Sequence, residues 1–116
     1  MLRAFYENIC VDYDAILKRF SDEDIILRFV KRFPSDPSFE NLKSALEAGR
    51  KREAFLAVHN MKGLCANLAF TRLQECASEM TELLRDESCD LEPARVAFDR
   101  LSEDYDKVIG EIAQLG

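Results

Sequence analysis

His59, Lys62 and Gly63 lie within about one helical turn of each other in the run Phe55-Leu-Ala-Val-His-Asn-Met-Lys-Gly-Leu-Cys-Ala-Asn-Leu68. The rest of that run reads as an amphipathic helix, and His59 is the single histidine of the chain. A glycine inside a helix costs about 1 kcal/mol relative to alanine, and residues three and four apart share a face. The weak point of the helix therefore sits beside the histidine.

The chemistry this trio suits is nucleophilic attack by imidazole. An imidazole in water titrates at about pH 6.5, so an exposed one is mostly free base at neutral pH and can attack phosphorus without a separate base. Lys62 would neutralise part of the charge of a phosphoryl group held on His59, and Gly63 would leave room for a partner to close over it. At about 100° per residue, Ala54, Ala57, Met61, Leu64, Cys65 and Leu68 fall opposite His59 and form the expected core stripe. Arg52, Phe55, Leu56, Lys62, Gly63 and Ala66 fall on the His59 side, and Arg52, Phe55, Leu56 and Ala66 form the expected docking surface.

The elements that must hold this helix are helical almost throughout, without strand alternation. Leu2, Phe5, Ile9, Tyr13, Ile16, Leu17 and Phe20 make a first stripe, with a possible break near Val11 where Asp12 could cap a second piece. Ser21 to Asp24 resembles a capping box for a helix that Pro34 stops. Asp36 and Pro37 restart the chain, and Gly49 is the expected C-terminal cap of the next helix. The His59 helix runs from about Lys51 to Leu68, and another opens near Thr71 with Leu73, Cys76, Ala77, Met80 and Leu84 inward. The last helix starts near Leu91 and repeats Ala94, Phe98, Leu101, Tyr105, Val108, Ile112 and Leu115 as a bundle seam. Short connections near residues 49, 69 and 89 make successive helices antiparallel neighbours. The expected fold is all-α, one domain over 1–116: an up-and-down four-helix bundle over 21–116 preceded by a short helical segment over 1–20.

With 47% hydrophobic and 33% charged residues, the chain should fold without a disulfide or metal staple. Cys10, Cys65, Cys76 and Cys89 lack C-x-x-C spacing, and one histidine completes no familiar zinc site with them, so no metal is expected. A net charge of −6 argues against nucleic acid as a partner. Within residues 50–72, however, Arg50, Lys51, Arg52, Lys62 and Arg72 face one acid, Glu53, which makes the surroundings of His59 a basic island. No apolar run is long enough to span a bilayer, and the first residues do not form a secretory signal. A cytoplasmic monomer is the expectation.

The stretch His59-Asn60-Met61-Lys62-Gly63-Leu64-Cys65-Ala66-Asn67-Leu68-Ala69-Phe70-Thr71-Arg72-Leu73-Gln74-Glu75-Cys76 resembles the histidine-containing phosphotransfer (HPt) domains of multistep phosphorelays. Their signature is H-x-x-K-G, a Leu-Gly type turn and a second helix opening L-x-x-L-x-x-x-[AC]. The resemblance is specific over residues 54–84 and compatible with nearly the whole chain. It implies that His59 takes a phosphoryl group from the aspartate of one receiver domain and passes it to another, in response regulators or hybrid histidine kinases. It implies too that Lys62 supports the phosphate and Gly63 permits docking. The Mg²⁺ of such transfers belongs to the receiver, so the chain needs no cofactor of its own. Ala69 stands where the family commonly has glycine, which would alter the turn slightly, because alanine takes a left-handed conformation less cheaply. The family often adds a polar residue from the neighbouring helix, here Ser78, Thr81 or Glu82. The alternative function is an adaptor that docks a receiver or kinase without chemistry. A hydrolase using His59 as base is weaker, since no Ser, Asp or second His joins it on that face.

Overall fold

The computed structural model describes residues 2–85 and 90–115. It contains α1 (Leu2–Asn8), α2 (Tyr13–Phe20), α3 (Glu23–Arg32), a 3₁₀ turn (Phe33–Ser35), α4 (Ser38–Ala48), α5 (Lys51–Leu68), α6 (Thr71–Arg85) and α7 (Glu92–Ala113). Among the described residues there is no strand, and no helix is long and apolar enough to cross a membrane. The expected connection near Cys89 lies outside the described residues.

Local chemistry sets the helix limits. The Asp12 side chain accepts from the Asp14 amide and starts α2, and Asp36 accepts from the Ser38 amide at the start of α4. The expected Ser21 capping box is not formed. Ser21 instead ends α2 in a left-handed conformation (φ 60°), and Asp22 caps α3 by accepting from the Asp24 amide. A residue that terminates one helix in αL cannot also take the extended conformation an N-cap requires.

Two turns of the same design create the bundle. After α4, Arg50 N–H donates to Ala45 O and Gly49 N–H to Leu46 O. After α5, Phe70 N–H donates to Cys65 O and Ala69 N–H to Ala66 O. Both are Schellman closures, with Gly49 at φ 73° and Ala69 at φ 58°. The alanine thus adopts the left-handed turn itself rather than a different loop, at a conformational cost of about 1 kcal/mol. Each turn folds the next helix back on its predecessor, so α4, α5 and α6 are antiparallel neighbours.

α7 closes the ring. Phe39 near the start of α4 stacks on Tyr105 (3.8 Å between centroids, planes 2° apart) and on Phe98 (5.5 Å). Nearer the end of α4, Arg95 donates to Leu46 O at 3.0 and 3.3 Å. Residue numbers fall along α7 as they rise along α4, which makes this pair antiparallel as well. Ala94, Leu101, Val108, Ile112 and Leu115 of the expected seam are buried, while Phe98 and Tyr105 are partly buried against the core.

α1, α2 and α3 sit over the end of the bundle made by the α5–α6 turn. Tyr6, fully buried, donates its hydroxyl to Leu68 O at 2.9 Å, and Arg19 donates to Ala66 O at 2.9 Å, placing a cation on the last carbonyls of α5. Phe70, just past the left-handed Ala69, is the anchor of this end, with its ring 5.0 Å from Phe33 and 5.9 Å from Phe5. The last carbonyls of α5, at the turn end of the hairpin, are thereby bonded by side chains from outside it.

Candidate functional site

α5 buries Ala54, Ala57, Met61, Cys65 and Leu68 as the periodicity requires, with Leu64 only half-buried. Val58 is also fully buried, although it lies about a quarter turn from His59. The buried arc is wider than a single stripe because α5 packs on α3, α4 and α6 together. Arg52, Glu53, Leu56, His59, Asn60, Gly63 and Asn67 remain exposed, and the ridge on the His59 side carries Arg52, Leu56, His59 and Gly63 with Phe55, Lys62 and Ala66 half-buried along it.

The ridge is pinned on both sides. Asn60, next to His59, donates its side-chain amide to Ser38 Oγ of α4, and Ser38 is buried. On the other side Arg85 of α6 lies over the Phe55 ring, 6.0 Å from guanidinium carbon to ring centroid. Phe55 in turn stacks beside His59, with centroids 6.0 Å apart and planes 12° from parallel. The imidazole is thus presented to solvent from a helix that is clamped one residue after it and one turn before it. A Cβ built on Gly63 would meet nothing within 4 Å, so no packing contact requires a glycine there. The space beside His59 is open.

The neighbouring-helix candidates separate. Phe55 and Arg85 are equidistant in sequence from Phe70, so the register of the hairpin places Thr81 level with His59. Thr81 is at the right height and faces the wrong way. It is fully buried, and its hydroxyl donates its one proton to Ala77 O at 2.7 Å. Glu82 is exposed and pairs with Arg85 at 3.2 Å. Ser78 is half-buried. Among the described residues no hydrogen bond or ion pair joins any of the three to His59 or Lys62.

The basic island is not one patch. α5 alone spans about 27 Å, so Arg50, Lys51 and Arg52 stand at one end of it and Arg72, which opens α6, at the other. Arg50 is paired with Glu53 at 3.4 Å. Arg85 lies outside the basic run of residues 50–72, although reflection of Phe55 through the α5–α6 turn points to it. Lys62, half-buried beside His59, has no ion-pair partner among the described residues.

The buried thiols of Cys65 and Cys76 lie off this ridge. Burial pushes the Cys65 thiol up to about 12. Burial, followed by the bond its Sγ donates to Asp104 Oδ2 at 3.2 Å, takes Cys76 to about 12 as well. Among the described residues no group of three or more His, Cys, Asp or Glu side chains is placed to hold a metal ion.

A protein-family model described as the Hpt domain matches residues 31–111, which runs from the end of α3 to the last turns of α7. No curated protein and no solved structure matches the chain.

Proposed function

The chain belongs to the Hpt domain family, whose members carry phosphoryl groups in phosphorelays with receiver domains and are neither kinases nor hydrolases, and from that premise we propose that His59 is the phosphoacceptor. The observation that carries this reading is the placement of His59 on an exposed ridge of α5, clamped by Asn60–Ser38 and Phe55–Arg85, with open space at Gly63.

In the forward step, the imidazole nitrogen without a proton attacks the phosphorus of a receiver's aspartyl phosphate. The new N–P bond forms as the acyl-phosphate O–P bond breaks, and the carboxylate leaves with the electron pair. In the onward step a second receiver's aspartate attacks the same phosphorus, and the N–P electrons return to the imidazole. Little covalent work is asked of the protein, whose contribution is position and charge. Lys62, one turn along the ridge, offsets the charge on the carried group, and Gly63 admits the receiver's edge. A divalent cation for the transfer belongs to the receiver's aspartate pocket. Arg52, Phe55, Leu56 and Ala66 form the surrounding docking face, and the basic end of α5 speeds encounter with an acidic partner more than it deepens affinity.

Leu56, 52% exposed on the same face, suits docking alone as well as docking with transfer. Incubation with a phosphorylated receiver separates the two: acid-labile label on the wild type and none on His59→Gln supports transfer, and binding without label supports the adaptor.

A further inference from the structure

α5 opens on Arg50-Lys51-Arg52, three cations in the turn where a helix already carries positive partial charge. No side chain caps this N-terminus. Arg50 is engaged by Glu53, whereas Lys51 and Arg52 line an open cleft of about 420 Å³ between α5 and α6, completed by Phe55, Leu84 and Arg85. The Lys51 Nζ is shielded from solvent yet has no hydrogen-bond partner among the described residues. An ammonium held in that way lacks a compensating acceptor, which an anionic group entering the cleft would supply.

The three charges differ in what they have spare. Arg85 shares an exposed pair with Glu82 at 3.2 Å, a contact worth little in water, and its guanidinium lies over Phe55. Arg52 has no ion-pair partner among the described residues. The cleft thus offers two guanidiniums with planar donor edges, one unpaired ammonium and an aromatic wall, and no acid lines it among the described residues. Its volume falls in the range of small-ligand sites, and a concave cleft reaching a shielded ammonium favours a small group over a flat protein surface.

We infer that the cleft of Lys51, Arg52 and Arg85 is a binding site for a phosphate-class oxyanion, distinct from His59 and roughly two helical turns from it along α5. The cleft shares Arg52 and Phe55 with the ridge, and His59 is not among its lining residues.

The test uses inorganic phosphate and pyrophosphate on the full chain at constant ionic strength, with chloride as the control salt. Saturable amide shifts at Lys51, Arg52, Phe55 and Arg85 are expected, together with a rise in Tm, since a ligand bound only by the folded state stabilises it. Lys51→Met and Arg85→Gln should each weaken binding by about tenfold, as expected for loss of a charged hydrogen bond, while Lys43→Gln on α4 leaves it unchanged. Thermal melts without ligand verify that each variant folds, and Lys51→Met should itself be no less stable than wild type, because it removes an uncompensated charge. Shifts that do not saturate, or that match chloride, overturn the inference. So does binding by Lys51→Met and Arg85→Gln as tight as that of the wild type, and so does binding of an acidic peptide at the cleft with none of either phosphate.

Discussion

The Phe55 and His59 rings lie nearly parallel, 12° apart in plane with 6.0 Å between centroids, and the Arg85 guanidinium lies over the Phe55 ring. One helical turn separates the two residues, so the helix itself brings them together. An imidazole on an open ridge would otherwise sample several rotamers, and the stack favours the one that lies alongside Phe55.

Phe55→Leu keeps an apolar side chain at the position and removes the flat ring. Aromatic pairs contribute about 0.5–1.5 kcal/mol beyond the area they bury, which corresponds to a factor of about two to thirteen in rate. Phosphoryl transfer from a saturating phosphorylated receiver, followed under single-turnover conditions, should slow by that factor with little change in Tm. An unchanged rate would show that the stack does not position the imidazole.

At Gly63 the space and the helix make opposite demands. A methyl group meets nothing within 4 Å, so Gly63→Ala should stabilise the protein by up to about 1 kcal/mol in urea unfolding. Gly63→Gln should leave the fold intact and slow transfer, because the longer side chain occupies the open space next to His59. Equal transfer by wild type and Gly63→Gln would mean that a partner does not use that space.

Ala69 holds a left-handed conformation at φ 58° in a turn of the same design as the one at Gly49. Ala69→Gly should therefore raise stability by about 1 kcal/mol, the reverse of a glycine placed inside a helix. Chemical denaturation of the pair Ala69→Gly and Gly49→Ala would show opposite signs. A loss of stability in Ala69→Gly would contradict the geometry of the α5–α6 turn.

Much of this arrangement could be read from the chain because it is local. The limits of α5 at Lys51 and Leu68 follow from apolar spacing and from the punctuation at Gly49 and Ala69, each decided by near neighbours. Tyr6 and Phe70 were not legible as core in the same way. Tyr6 reaches Leu68, 62 residues away, and both are buried only because α1 and α2 fold over a turn that is itself a reversal. Val58 shows a second limit, since a helix wheel assigns one buried stripe while α5 has three neighbours. Thr81 shows a third: the hairpin register gives its height beside His59, but its direction depends on how α6 rolls against α7.

The buried thiols give the protein a dependence on alkaline pH. Cys65 and Cys76 are raised to about 12, and Tyr13 also to about 12 by burial and by the bond it donates to Glu23. Groups whose folded pKa lies above the unfolded value favour folding fully below the unfolded pKa and lose that contribution as pH rises through the folded one. Tm should therefore hold steady up to about pH 8 and fall progressively from about pH 9 to 12. The Cys65→Ala, Cys76→Ala double variant should be less stable at neutral pH, because core volume is lost, yet show a shallower alkaline fall. Identical slopes in the two proteins would show that the thiols do not contribute.

In the proposed relay His59 carries the phosphoryl group. A receiver phosphorylated on its aspartate with ³²P, mixed with the wild type and with His59→Gln, tests it directly. The expected result is label on the wild type that is lost in acid and retained in base, none on His59→Gln, and unaltered receiver binding by the variant. Acid-labile, base-stable label of equal amount on His59→Gln, with both proteins folded, would contradict it.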